Sequence, residues 1–278
     1  MCQPPLRRVR GGLPRGYQPR YGRLHPIIPE VVHKFLECGN LERGFARVRC
    51  DRCEHEYLLA FSCKSRWFCP SCHQKNVQTT ARFILERVMA PVPHRHFVLA
   101  IPRMLRPYFQ RHRYLLKQLS ALAHQSLTEY LRAALHCPQG VPGIIMTLHT
   151  FGEYLDFHPH VHALVADGLF LRDPPDSPPQ APTPASGPQP PACPTFLPLP
   201  ETPLKPLEEL FRAKVIHLLV AQKLLPPDRV QVLYSWKHSG FNLHAGELVP
   251  PEAKSLFEKS KKLNKIAKKA YFWRSLSQ

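Results

Sequence analysis

The stretch DFHPHVHALVADG, Asp156 to Gly168, decides the fold of the central part of the chain. His158, His160 and His162 stand on alternate positions, and an apolar run follows them. Because successive side chains of a strand point to opposite faces, this alternation predicts a β-strand with its histidines on one face and Val161 in the core. A metal site, a pH-sensitive surface and chance in a chain with 16 histidines all remain open as explanations at this point.

The segments around this strand predict an antiparallel sheet with helices. Apolar or β-branched runs predict three more strands, at residues 96–102, 143–152 and 229–236. Helical periodicity predicts helices at residues 107–135 and 207–224. On the longer helix the apolar side chains share one face: Leu115, Leu116, Leu119, Leu122, Ala123, Leu127, Tyr130 and Leu131. The order strand, helix, strand, strand, helix, strand is that of the ferredoxin-like arrangement, so the predicted fold class is α+β.

Changes in composition along the chain predict its domain organisation. Residues 1–24 are basic and rich in Gly and Pro, which indicates a flexible arm, and residues 25–90 form a small cysteine-dense domain. A second domain is predicted over residues 91–256. Within it, the proline-dense residues 173–206 lack periodicity and predict a disordered insertion. Residues 257–278 form a Lys-rich tail.

The charge of the chain points to a polyanionic partner. A formal net charge of +18 and a pI near 9.8 favour nucleic acid first and an anionic membrane surface second. No run approaches the roughly 18 to 20 apolar residues of a spanning helix, and the N-terminus lacks the apolar region of a secretory signal. We therefore expect a protein of the reducing cytoplasm, where clustered cysteines are metal ligands rather than disulfides.

Two CxxC motifs predict a zinc site. Cys50 and Cys53 form the first pair, Cys69 and Cys72 form the second, and fifteen residues separate the pairs. Two such turns place four thiolates at about 2.3 Å from one Zn²⁺ and close its tetrahedron, so this ion is expected to be structural. The alternatives are four unrelated buried cysteines, or a thioredoxin-like redox motif.

Cys38 and Cys63 allow several roles. They are expected either to support the four-cysteine site, to replace some of its ligands, or to bind a second ion with His55 or His73. They are also small enough simply to pack as apolar groups.

Basic and aromatic residues surround the cysteines. Such a mixture fits phosphate neutralisation and stacking on bases, with a solvated basic face as the alternative. The residues are Arg43, Arg47, Arg49, Arg52, Lys64, Arg66 and Lys75, interleaved with Tyr57, Trp67 and Phe68.

The histidines of the central strand offer a second metal site. His160 and His162 lie two apart, which is close enough for both imidazoles to chelate one ion. His158 adds a third ligand only if regular strand geometry continues across Pro159, which weakens a ladder from inside.

Three blocks of sequence resemble a known family. HPHVH, residues 158–162, matches the histidine-hydrophobe-histidine (HUH) motif of rolling-circle endonucleases. CGNLERGFARVRCDRCEHEYLLAFSCKSRWFCPSCHQKN, residues 38–76, resembles the N-terminal zinc-binding domain of rolling-circle tyrosine transposases of bacterial insertion sequences. LHTFGEYLDFHPHVHALVADG and WKHSGFNLHAGELVPPE, residues 148–168 and 236–252, resemble further segments of that family in the same order. The resemblance extends from about residue 25 to 253, apart from the insertion.

This resemblance implies a zinc ribbon followed by a ferredoxin-like HUH-endonuclease domain that nicks and rejoins single-stranded DNA. A divalent cation, Mg²⁺ or Mn²⁺, would be held by His160, His162 and one further polar ligand, and would polarise the scissile phosphate. A tyrosine hydroxyl would attack in line, giving a 5′-phosphotyrosine and a free 3′-OH. The zinc domain and the basic arm would grip the element's DNA ends, at the nucleoid of a bacterial cytoplasm.

The expected nucleophile is the weakest point of the resemblance. Family members carry their tyrosine on a helix downstream of the block that ends here at Pro250, but the sequence after about Leu256 does not resemble that helix. Tyr271 is the only tyrosine there and is the candidate nucleophile, with an ordinary aromatic in a basic tail as the alternative. Tyr234 is expected in a core strand. We therefore expect a truncated or frameshifted transposase with its metal-binding and DNA-binding parts intact.

Two other functions remain open. The chain is alternatively a non-catalytic zinc-ribbon protein that binds nucleic acid. A histidine-based metal hydrolase unrelated to DNA is the third reading, and no HExxH motif supports it.

Overall fold

The computed structural model describes residues 25–65, 68–152, 156–171, 195–236 and 240–253. The chain divides into two compact units between Thr80 and Ala81. The predicted basic arm, the Lys-rich tail with Tyr271, and residues 173–194 of the insertion lie outside the described residues. Within the described ranges, no helix has the length and apolar character needed to cross a membrane.

The first unit contains a β-hairpin that follows one helix and precedes another. Its elements are α1 (Ile27–Leu36), a 3₁₀ turn (Leu41–Arg43), β1 (Phe45–Arg49), β2 (Glu56–Ala60) and α2 (Pro70–Phe83), which continues across the division. The strands are antiparallel, with Phe45 opposite Ala60 at the open end of the hairpin and Arg49 opposite Glu56 beside its turn. Gly44 closes the open end with a φ of +116°, and a Cβ there would lie 2.9 Å from the ring of Phe61.

The second unit is a four-stranded antiparallel sheet with helices. After a π-helical segment (Ile84–Val88) come β3 (His94–Ala100), a 3₁₀ turn (Arg103–Leu105), α3 (Arg106–Arg111), α4 (Leu115–Ala134), β4 (Ile144–Phe151), β5 (Phe157–Ala166), β6 (Gly168–Phe170), β7 (Phe196–Pro198), α5 (Lys205–Ala221), α6 (Pro227–Ser235), β8 (Asn242–Val249) and a last 3₁₀ turn (Pro251–Ala253). The strand order is β4-β5-β3-β8, and every neighbouring pair is antiparallel. This order is compatible with the ferredoxin-like arrangement, and the predicted α+β class is confirmed.

One face of this sheet and the helices α4 and α5 form the core. Val161 is fully buried, as the alternation along β5 predicts, and it clusters with Leu99 of β3, Leu119 of α4 and Phe211 of α5. The predicted apolar stripe of α4 is buried, except that Leu122 is only partly covered. Because strand side chains alternate, the histidines of β5 lie on the other face.

The last strand of the sheet is not the one that the sequence predicts. Residues 229–236, predicted as a strand, lie in helix α6 and its C-cap. Pro227 at the first helical position and Asp228 in the first turn both favour a helix start. Val230 and Leu233 are three residues apart and both pack against the core, which is a helical spacing. Strand β8 takes the fourth place instead.

The predicted disorder of residues 173–206 is wrong at the C-terminal end of the segment. Phe196–Pro198 form β7, which pairs with β6. The N–H of Leu199 donates to the carbonyl of Asp167 at 2.8 Å, and helix α5 begins at Lys205. Phe196, Leu197 and Leu199 supply apolar side chains that the composition of the whole segment conceals.

A buried ion pair ties the end of β5 to β3. Arg95 donates to both carboxylate oxygens of Asp167 at 3.0 Å, and this hydrogen bonding raises the pKa of Arg95. The Asp167 side chain is 5% exposed and the Arg95 side chain 28%. Asp167 therefore depends on Arg95 for its polar contacts, whereas Arg95 also reaches water.

Replacing Asp167 by alanine is expected to lower the free energy of unfolding by about 2 kcal/mol, because the partly buried guanidinium of Arg95 loses both of its carboxylate hydrogen bonds. Urea denaturation followed by circular dichroism measures this change. The exposed Lys205–Glu208 pair of the same unit is the control, since Lys205→Ala should change the free energy by less than about 0.5 kcal/mol. Equal effects of the two substitutions would contradict the structural role of Asp167.

Candidate metal centres

Four cysteine sulfurs of the first unit form one cluster. They belong to Cys38, Cys63, Cys69 and Cys72, and all lie within 4.8 Å of one another. The Sγ–Sγ distances are 3.6 Å for Cys38–Cys72, 3.5 Å for Cys63–Cys72 and 3.7 Å for Cys38–Cys69. A tetrahedral Zn²⁺ with Zn–S bonds of about 2.3 Å separates its sulfurs by about 3.8 Å, whereas a disulfide needs about 2.05 Å. The spacing therefore fits a structural zinc site.

The open end of the hairpin brings two of these cysteines together. The N–H of Gly39 donates to the carbonyl of Phe61, and the N–H of Phe61 donates to the carbonyl of Gly44, both at 3.1 Å. Cys38 and Cys63 flank these contacts. Cys69 directly precedes helix α2 and Cys72 lies in its first turn, so the CPSC motif supplies the other pair.

Backbone N–H groups point at the sulfurs, as zinc-binding turns require. The N–H of Cys63 donates to Sγ of Cys38, and the N–H of Ser65 donates to Sγ of Cys63, both at 3.4 Å. Lys64, with a φ of +53°, makes the second contact sterically feasible. Burial raises the pKa of Cys38 to about 12. Burial also acts to raise the pKa of Cys63, but hydrogen bonds, first those from Ser65, outweigh it and lower that pKa to about 7. A divalent cation allows all four sulfurs to be thiolates at once.

The structure does not bring Cys50 and Cys53 to Cys69 and Cys72. Cys50 and Cys53 are exposed in the turn of the hairpin, at the end opposite the cluster. With a rise of about 3.3 Å per residue, the length of β1 separates that turn from the open end by about 13 Å. The predicted union of the two CxxC motifs in one site is therefore corrected: hairpin geometry puts Cys38 and Cys63 in those two places.

The turn at Cys50 nevertheless has the shape of a thiol-bearing knuckle. The backbone N–H of Cys50 donates to the carbonyl of His55 at 2.9 Å. Hydrogen bonds from the backbone N–H groups of Cys53 and Arg52 lower the pKa of Cys50. Among the residues that the structure describes, neither His55 nor His73 joins a group of three or more potential metal ligands. Among the described residues, the predicted second ion bound by Cys38 or Cys63 with His55 or His73 therefore lacks a group of three ligands.

Three histidines cluster on the sheet face opposite the helices. We call His149, His160 and His162 the histidine cluster; one ring nitrogen of each lies within 4.8 Å of the others. His149 stands directly opposite His160 in the β4–β5 ladder. The ring centroids are 4.5 Å apart for His149–His162, 4.9 Å for His160–His162 and 5.4 Å for His149–His160. His162 is only 4% exposed, whereas His149 and His160 are partly exposed, so the cluster is covered at His162 and open at the other two rings.

Hydrogen bonds of the rings indicate which nitrogen each histidine offers. Nδ1 of His160 is 2.7 Å from the carbonyl oxygen of His158. A carbonyl only accepts, so Nδ1 carries the proton and the lone pair of His160 is on Nε2. Nδ1 of His162 is 3.0 Å from Nε2 of His96, a buried histidine of β3. In both rings Nδ1 is engaged in a contact, which leaves Nε2 as the nitrogen that can face a metal.

His158 does not join the cluster, because a β-bulge interrupts the alternation. His149 pairs with His160 while Phe151 pairs with Phe157, so two residues of β5 stand opposite one of β4. Pro159 falls in this bulge, where its missing N–H costs no ladder bond. The His158 ring is 5.1 Å from that of His160, and burial, followed by nearby Arg106, lowers its pKa.

Two of the described tyrosines differ in how they are placed. Tyr130 is buried on α4, as predicted, and its hydroxyl donates to the carbonyl of Pro203 at 3.1 Å. Tyr234, predicted in a core strand, is instead 51% exposed on α6, with the Arg212 guanidinium 4.7 Å from its ring centroid. That prediction was wrong because the segment is helical.

Sequence patterns gave no direct signal for two of the histidines. His149 follows the β-rich run GIIMTL, and only the register of the β4–β5 pairing shows that it faces His160. His96 opens the run HFVLAIP and contacts a residue 66 positions away. Both belong to strands that the sequence does predict, so alternation on neighbouring strands was the available signal.

Comparisons with known proteins match these two sites. Residues 14–101, which include the four-cysteine cluster, match the family described as "Transposase zinc-binding domain", of the IS91 type. Residues 143–177, which include the histidine cluster, match the family described as "Putative transposase". Both matches are to transposase families, and they agree with the resemblance noted in the sequence.

Two curated relatives support this resemblance. The chain is 36% identical over 149 residues to the transposase for insertion sequence element IS801 of Pseudomonas savastanoi pv. phaseolicola, covering 53% of this chain and 35% of that protein. It is 27% identical over 162 residues to the putative transposase y4qJ of Sinorhizobium fredii (strain NBRC 101917 / NGR234), covering 56% and 39%. No solved structure matches the chain. The chain is therefore related to IS91-type transposases of insertion sequences, and its match spans between a third and two fifths of each curated relative.

Proposed function

We propose that this chain acts on DNA as a transposase that nicks and rejoins single strands through a 5′-phosphotyrosine, with a divalent cation at the histidine cluster. The observation that carries the proposal is the convergence of His149, His160 and His162 on one sheet face. A transposase zinc-binding domain in the same chain supports it. The zinc-thiolate site and a DNA target fit the nucleoid of a bacterial cytoplasm.

The donor set of the cluster favours a transition-metal ion. Imidazole nitrogens suit Mn²⁺ and later metals of the first row better than Mg²⁺, which prefers oxygen ligands. Three protein ligands leave coordination positions open, as in catalytic metal sites. A bound divalent ion would supply Lewis-acid polarisation of the scissile phosphate. The residues present therefore fit Mn²⁺ better than the Mg²⁺ that the resemblance also allows.

The reaction transfers a phosphodiester to the protein and conserves its bond energy. A tyrosine oxygen forms a bond to phosphorus while the P–O3′ bond breaks, and the phenol proton ends on the 3′ oxygen. Rejoining is the reverse, with a 3′-OH as nucleophile. Tyr271 is the candidate for this tyrosine, on its sequence position alone.

The hairpin of the first unit offers a surface for the DNA. Tyr57 and Phe61 are 51% and 58% exposed, and exposed aromatic rings stack on unpaired bases. Arg47 and Arg49 lie on the same hairpin and pair with its glutamates. Exposed pairs of this kind are weak, so both arginines can exchange a carboxylate for a phosphate.

A covalent-adduct assay tests the proposal. The chain is incubated with Mn²⁺ and labelled single-stranded DNA from insertion-sequence ends, and labelled protein is resolved under denaturing conditions. We expect an adduct that Tyr271→Phe abolishes, since the phenol oxygen is its bonding atom, and that His160→Ala also abolishes while DNA affinity is retained. Absence of any adduct, or an adduct that survives Tyr271→Phe, would rule out the Tyr271 chemistry in this chain.

A non-catalytic zinc-ribbon protein that binds nucleic acid is the second candidate, favoured by the exposed aromatic side chains of the hairpin. This second function predicts salt-sensitive DNA binding that does not change when His160 and His162 are replaced by alanine. It also predicts that no covalent adduct forms. The same assay therefore separates the two functions.

A further inference from the structure

We infer that His96 is a positioning residue for His162: its Nε2 accepts a hydrogen bond from Nδ1–H of His162 and thereby aims Nε2 of His162 at the bound cation. This inference rests on the proposed function, because it assumes that the histidine cluster holds a metal. It gives a role at the site to His96, which is not one of the three histidines of the cluster.

The geometry of the pair is that of a ring-to-ring hydrogen bond. Nε2 of His96 lies 3.0 Å from Nδ1 of His162, and the two ring planes differ by only 9°. Since the ring centroids are 5.1 Å apart, the nearly parallel rings meet edge to edge at these two nitrogens, and the N–H of one can point along the in-plane lone pair of the other. In the β3–β5 ladder Val98 stands opposite His162, so His96 is the diagonal neighbour on the same face.

Metal binding fixes the direction of this hydrogen bond. A histidine ligand needs its lone pair on the nitrogen that meets the metal, and Nδ1 of His162 is occupied by His96. The lone pair of His162 must therefore be on Nε2 and its proton on Nδ1. His96 then accepts through Nε2 and carries its own proton on Nδ1. The opposite direction would place a proton on the nitrogen that faces the cation.

Burial makes this contact hard to replace. His96 is 5% exposed and His162 is 4% exposed, so bulk water has little access to Nδ1 of His162. His160 obtains the corresponding support from the backbone carbonyl of His158, which no substitution removes. His162 depends instead on a side chain. Loss of such an outer partner typically weakens metal affinity by about 10- to 100-fold.

Mn²⁺ titration of the zinc-loaded full chain tests the inference, with the electron paramagnetic resonance signal of unbound Mn²⁺ as the readout. His96→Leu, which removes the acceptor, should weaken Mn²⁺ binding by about 10- to 100-fold. His96→Gln, whose Oε1 accepts near the position of Nε2, should restore affinity close to that of the wild type. His94→Leu is the matched control, because His94 is buried two positions along the same strand and its Nδ1 contacts the carbonyl of Val92. It should leave Mn²⁺ affinity unchanged.

The variants distinguish failure of this inference from failure of the metal site. Wild-type affinity in His96→Leu, or equal losses in His96→Leu and His96→Gln, would overturn the positioning role while leaving the site intact. If His96→Leu does not fold, His96→Asn replaces it, since its shorter side chain withdraws the acceptor from His162 and should also weaken binding. A wild type that binds Mn²⁺ no better than His160→Ala would overturn the metal site and this inference together.

Discussion

Zinc is expected to be lost from the chain when Cys63 is replaced by serine and retained when Cys53 is replaced. Sγ of Cys63 lies 3.5 Å from Sγ of Cys72 inside the cluster, whereas Cys53 is exposed in the hairpin turn. Structural zinc contributes about 10–16 kcal/mol in small zinc domains, which equals or exceeds the roughly 5–15 kcal/mol stability of a typical domain. Cys63→Ser should therefore unfold the first unit as well.

Bound zinc per chain, measured by mass spectrometry of the metal, and resistance of the first unit to proteolysis are the readouts. Cys38→Ser should behave as Cys63→Ser does, and Cys50→Ser as Cys53→Ser does. The reverse pattern, with zinc lost at Cys50 or Cys53 and kept at Cys38 or Cys63, would return the ligand set to the two CxxC motifs.

The second large effect is expected for His149→Ala, which should weaken Mn²⁺ binding by more than about 100-fold. Loss of a residue that only hydrogen-bonds to a metal ligand already weakens binding by about 10- to 100-fold, and loss of a ligand should weaken it further. The ring of His149 stands 4.5 Å from that of His162, centroid to centroid, and completes the three-ligand group. Isothermal titration with Mn²⁺ measures the change. His158→Ala is the matched control, because His158 lies in the bulge outside the group and should leave the affinity close to that of the wild type.

A strong loss at His158 together with no loss at His149 would show that the ion lies toward the bulge. Unchanged circular dichroism of both variants would exclude unfolding as the cause. The two variants therefore test whether the third ligand is His158, as alternation along β5 suggests, or His149, as the pairing of β4 with β5 indicates.

The sequence predicts strand β5 and the opposite faces of His160 and Val161 well, because alternation within one strand depends only on local geometry. His158 departs from the pattern through the bulge at Pro159, which arises from pairing with β4. His149 and His96 reach the site through pairings with β5. Contacts between strands need the register, which no single segment contains.

The cysteine ligands show the same limit. CxxC spacing identifies Cys69 and Cys72 correctly as one half of a cluster, since two sulfurs two residues apart can meet one ion. The second half depends on how the hairpin folds, and its open end brings Cys38 and Cys63 together. Spacing alone does not show which end of a hairpin faces a helix.

The segment at residues 229–236 illustrates competition between two local signals. Its valines, tyrosine and tryptophan favour a strand, while Pro227 and Asp228 favour the start of a helix. Packing of Val230 and Leu233 against the core decides for the helix. Tertiary contacts therefore settle what propensity leaves balanced.

Anomalous diffraction from crystals grown with Zn²⁺ and Mn²⁺, recorded at the absorption edge of each metal, tests the two-centre account most directly. We expect a zinc peak among the sulfurs of Cys38, Cys63, Cys69 and Cys72, and a manganese peak beside Nε2 of His160 and His162. A zinc peak at Cys50 and Cys53 with none in the four-cysteine cluster, or no manganese at the histidine cluster, would contradict the account.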